Sequence, residues 1–85
     1  MTTKNILMIA SERKIEALRM ATGLTLLDDK VSVLVCGELE DSAEATEQLE
    51  ALEFSDVPVE QLKQADQMYQ AMAQAISQAD VVYMI

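Results

Sequence analysis

The chain has 85 residues with one cysteine and no histidine, which leaves no internal disulfide, no ordinary structural zinc site and no His-centred catalytic relay. A net charge of −9, with two Tyr, one Phe and no Trp, disfavours nucleic acid and anionic membrane surfaces as partners. Apolar residues make up 51%, as in a folded globule, but a domain this small has a marginal core, and self-association is the remaining way to supplement it.

Asn5 to Ala10 is a short, nearly all-apolar run that fits a strand buried on both faces. Ser11 stands where an N-cap is expected, and Ile15, Leu18, Ala21, Thr22 and Leu26 keep a helical period, with Glu16 and Arg19 on the other face. Gly23 weakens the end of that helix, and Asp28-Asp29-Lys30 reads as the turn out of it. Val31 to Cys36 is a second apolar, β-branched run, so strand, helix and strand form a right-handed unit with parallel strands.

Gly37 ends the second strand, and Glu38 to Asp41 form an acidic loop that includes Glu40. Asp41 followed by Glu44 resembles a capping box for a helix through Glu53, with Ala45, Leu49 and Leu52 inward and Phe54 pinning its end to the core. Ser55-Asp56-Val57-Pro58 breaks the pattern. Val57 to Leu62 reads either as a short edge strand, which Pro58 suits, or as a loop. Leu62, Ala65, Met68 or Tyr69, Met72, Ile76 and Ala79 then step at helical spacing to about Gln78, and Val81 to Ile85 is a last apolar strand. The expected fold is an α/β domain: a small open parallel sheet of three to four strands with helices on both faces, in the order β-α-β-α-(β)-α-β. The open edges of so small a sheet call for a partner chain.

The longest apolar run, Ile6 to Ala10, is far short of the ~20 residues of a spanning helix, and charges follow it where a leader would have a cleavage site. These features predict a cytoplasmic protein with a reduced thiol. With only Gly23 and Gly37, the chain cannot carry a dinucleotide fingerprint or a P-loop, and no cofactor or metal is expected.

In open parallel sheets, ligands bind beyond the carboxyl ends of the strands, where strand order reverses. Ser11 and Arg13 after the first strand, and Cys36 and Gly37 after the second, are therefore the candidate ligand-binding residues. A helix start at Ser11 offers main-chain donors to an anion, with Arg13 and Lys14 beside it, although simple capping is the plainer reading of Ser11. Cys36 is the candidate for chemistry, as a nucleophile or a persulfide carrier. Buried packing is the plainer role for a lone thiol, and the nearby acids do nothing to activate it. Glu44, Glu47, Glu50 and Glu53 read as a solvated helix face; with Glu38, Glu40 and Asp41 they offer a divalent cation or a basic partner a landing place, without calcium-loop spacing. Met68, Tyr69 and Met72 read as packing.

The segment Lys4-Asn5-Ile6-Leu7-Met8-Ile9-Ala10-Ser11, a first helix rich in Ala and Leu, and Val31-Ser32-Val33-Leu34-Val35-Cys36-Gly37 resemble the opening of the DsrE/DsrF-like sulfur-relay family. Asp80-Val81-Val82-Tyr83-Met84-Ile85 is similar to a later core strand of that family. The resemblance implies a single DsrE-like domain over residues 1–85, in a cytoplasmic protein that associates with itself or a related subunit. In active members a cysteine carries sulfur in the loop after a later strand, near Ile85 here. No cysteine stands at that position, and Cys36 does not match it. The resemblance therefore implies a structural or regulatory subunit, with sulfur transfer through Cys36 as the alternative. A receiver-like module is disfavoured because Ala10-Ser11 lacks paired acids. A flavodoxin-like one lacks its phosphate loop and aromatic flavin walls.

Overall fold

The computed structural model describes residues 3–26, 29–39 and 41–85, and Asp28, Glu40 and the side chain of Ala65 lie outside that description. The elements follow in the order β1 (Asn5–Ala10), α1 (Lys14–Leu24), β2 (Lys30–Cys36), α2 (Ala43–Phe54), β3 (Val59–Leu62), α3 (Ala65–Gln78) and β4 (Val81–Met84). The four strands form one all-parallel sheet in the order β3-β2-β1-β4. The expected α/β fold is thus the observed one, and the ambiguous segment after Pro58 is an edge strand.

Strand order explains the layering. From β1 the chain steps outward to β2 and β3, then returns across the sheet to β4 on the other side of β1. Right-handed crossovers made in opposite directions put their helices on opposite faces. Ile6, Met8, Ala10, Val31, Val33 and Val35 pack beneath α1 and α2, against Ala17, Leu18, Ala21 and Leu52. Leu7, Ile9, Leu34 and Leu62 face the other way, beneath Met68, Ala71, Met72 and Ala75 of α3. β1 and β2 are apolar in consecutive positions because helices cover both faces.

Two carboxylates lock the start of β1. The Lys4 amide donates to Asp29 Oδ1 at 3.0 Å and the Asn5 amide to Asp80 Oδ2 at 2.8 Å. Main-chain bonds run the other way, from Lys30 to the Lys4 carbonyl (2.9 Å) and from Asp80 to the Asn5 carbonyl (2.8 Å). Each strand that flanks β1 is thus preceded by an acid that secures its register, and a one-residue slip would turn every buried side chain to the wrong face.

The helix boundaries correct several expectations. The N-cap of α2 is Ser42, whose extended backbone lets its Oγ accept the Ala45 amide at 3.1 Å, so Asp41 lies one residue before the cap. Phe54 does not pin the helix end: it is 92% exposed. It lies two residues beyond the fully buried Leu52, about 200° round the helix, and so faces solvent. The anchor is Val57. Its amide donates to the Leu52 carbonyl at 2.9 Å, the Asp56 amide to the Glu53 carbonyl at 3.0 Å, and Val57 joins Leu52 in the core. This is a Schellman turn, with Asp56 in the left-handed position (φ 58°) that glycine usually takes.

Leu26 falls beyond the end of α1 and is exposed, whereas Ala17 is buried. Leu62 belongs to β3 rather than α3. The core-facing stripe of α3 runs through the half-buried Met68, Ala71, Met72 and Ala75 and on to Ala79 just beyond it, which leaves Tyr69 exposed and Ile76 at the margin, about 80° from the stripe's centre.

Candidate functional site

The carboxyl edge of the sheet brings together the residues that follow β1, β2 and β4. Ser11 does not cap α1. The helix starts at Lys14, and its N-cap position, Arg13, makes no side-chain capping bond. Ser11 instead continues the sheet ladder. The Ile85 amide donates to the Ile9 carbonyl at 3.0 Å, and the Ser11 amide donates to the Ile85 carbonyl at 2.8 Å as the next rung. The Glu12 amide reaches the same carbonyl at 3.0 Å, and the Ser11 hydroxyl lies 3.4 Å from it. The Ser11 and Glu12 amides are therefore engaged by Ile85.

Arg13 extends into solvent, 3.8 Å from Glu16 one turn on. Lys14 turns toward β2, where its Nζ donates to the Glu38 carbonyl at 3.2 Å. It passes so close to Gly37 that a Cβ there would stand 3.4 Å from Nζ. Gly37 also has φ +90°, a conformation that side chains resist, and its amide donates to the Leu62 carbonyl at 2.8 Å. Gly37 thus ends β2 by turning sharply beneath Lys14 while still bonded to β3.

Cys36 is half-buried at the end of β2, paired in register with Leu62 and packed against the cluster beneath α3. The four candidate residues therefore separate. Cys36 and Gly37 share the β2 end with the Lys14 ammonium, Ser11 is tied to β4, and Arg13 pairs within α1. The open depression of about 670 Å³ beside them is lined by Glu12, Glu16, Glu38 and Asp41 as well as Arg13 and Lys14. Carboxylates outnumber cations there, so the field does not favour an anion.

The comparisons with known proteins come back empty. No protein-family model matches the chain, and no curated protein or solved structure matches it either.

Among the described residues, no three His, Cys, Asp or Glu side chains converge as a metal site, and no helix is long and apolar enough to cross a membrane. Of the α2 acids, Glu44 is paired with Arg19, while Glu47, Glu50 and Glu53 are exposed. Sequence reasoning pointed to the carboxyl edge and missed two features. One is a cleft of about 590 Å³ at the amino edge, bordered by Asn5, Lys30, Ser32, Asp56 and Gln78. No motif in those separate segments signals it. The other is β4, where Val82, Tyr83 and Met84 are 39%, 40% and 58% exposed on an outermost strand. The uncharged run Val81 to Ile85 was the available signal for it, but a buried strand shows the same run.

Proposed function

We propose that this chain is a small DsrE-like binding or assembly subunit of an oligomer in sulfur metabolism, with no catalytic centre of its own. The observation that carries the assembly part is β4, an apolar, uncharged strand left half-exposed at the edge of the sheet. An edge of that kind pairs with other chains unless something protects it. The sulfur-metabolism part rests on the resemblance of the β1, β2 and β4 segments. The engaged Ser11 and Glu12 amides and the acids around Arg13 and Lys14 are consistent with a subunit that binds protein rather than a small anion.

The alternative is sulfur transfer through Cys36. It is favoured by the partial exposure of the thiol at the strand end where Gly37 opens the backbone. Native mass spectrometry of freshly purified, untreated protein separates the two. The expected result is a discrete oligomer of unmodified 9.4 kDa subunits. Added sulfur mapping to Cys36 would transfer the function to the alternative, and a bare monomer would overturn the assembly reading.

A further inference from the structure

β4 differs from the rest of the surface in charge as well as exposure. The chain carries 15 acidic and 6 basic residues, yet residues 64–85 hold only Asp66 and Asp80. Two copies of a chain with net charge −9 repel one another on most approaches. They repel least across the α3/β4 side. A basic partner would be drawn instead to the exposed acids of α2. The neutral strand is therefore suited to meeting itself.

The hydrogen-bond pattern defines how. Ile85 directs both its amide and its carbonyl toward β1, to Ile9 and from Ser11. Direction alternates along a strand, so Val81 and Tyr83 also turn to β1, while Val82 and Met84 present their amides and carbonyls to the open edge. Pleat alternation and the β1 register put Val82 and Met84 on the α3 face, level with Leu7 and Ile9. Among the described residues, no β4 side chain joins the cluster beneath α3, so that face of β4 is uncovered.

We infer that β4 pairs antiparallel with β4 of a second copy of this chain, about a two-fold axis normal to the sheet, making one continuous eight-stranded sheet from two four-stranded ones. The inference rests on the assembly reading and names its partner. Centred on Tyr83, the pairing sets Val82 opposite Met84 of the second copy, and Met84 opposite its Val82. All the outward amides and carbonyls of both strands then find partners, and like faces stay together because the axis is normal to the sheet. Val82 and Met84 from both copies form an apolar strip between the two α3 helices. Tyr83 meets its own counterpart in a non-hydrogen-bonded pair, with Cα atoms about 4.5 Å apart, within disulfide range.

The test uses the full chain in two arms. Light scattering should give the wild type a mass of two 9.4 kDa subunits, and Val82→Lys/Met84→Lys the mass of one with its circular dichroism unchanged. In a Cys36→Ser background, Tyr83→Cys should yield a disulfide-linked dimer with oxidised glutathione, while Phe54→Cys, at a more exposed position, should stay largely unlinked. An oligomer that survives the double lysine variant, or equal linking at both positions, overturns β4 pairing and leaves the assembly reading standing. A monomeric wild type overturns both. Should the lysine variant fail to fold, the cross-linking arm still decides.

Discussion

The two outer strands of this sheet meet solvent on different terms. β3 is four residues long, follows Pro58, carries Glu60 and is followed by Lys63, and its last residue, Leu62, is 3% exposed beneath α3. β4 has the same length but no charge and no proline, and Val82, Tyr83 and Met84 remain open. Charge and proline are among the ways natural sheets keep an edge from pairing. One edge of this molecule is guarded and the other is not. The difference teaches that exposure by itself is not the signal. Both strands are outermost, and only the one without guards is fit to join another chain.

Substitutions test that contrast within a single subunit. Leu62→Ala should have the largest effect, about 2–5 kcal/mol lost in chemical denaturation, because it opens a cavity under α3. Met84→Ala, followed in a Val82→Lys background that light scattering shows to be monomeric, should cost under about 0.5 kcal/mol. Equal losses would mean that β4 is as much a core strand as β3. A smaller effect is expected where β2 and β4 begin. Asp29→Ala and Asp80→Ala each remove one exposed carboxylate acceptor from the β1 amides, and each should cost about 1 kcal/mol in the same assay. A loss confined to Asp80→Ala would show that β4 alone depends on its acid for register. One small effect is a gain. Asp56→Gly relieves the left-handed residue that turns α2 into β3 and should raise stability by about 0.5 kcal/mol, read as a higher denaturation midpoint.

Much of the architecture was legible in the residues. β1 matches its apolar run residue for residue, and β2 departs by one residue, because apolar runs between polar boundaries leave little freedom. Local signals misled where two residues compete for one role. Asp41 and Ser42 are both good caps, and only the backbone of α2 decides between them. Phe54 looked like an anchor because aromatic rings are usually buried, but the Schellman turn assigned that role to Val57. The site was harder still. Ser11 follows a strand and precedes a helix whether or not it caps, and its bond to Ile85 spans the chain, where spacing carries no information. The place of Cys36 beneath α3, beside Leu62, depends on a strand that the sequence left open as a loop.

The central position of β1 bears on how the molecule comes to be folded. β1 is made before the other three strands, yet one of its two neighbours, β4, is the last of the four, and the Asn5–Asp80 clasp joins residues 75 positions apart. Until β4 has been made, one side of the most buried strand has no partner in this sheet. Contacts of such high sequence separation slow folding, because loop closure must precede any stabilisation they bring. A chain in which β1, α1 and β2 assembled before β4 docked would show an open edge along Ile6 to Ala10, and that edge is what a holding chaperone would find to bind.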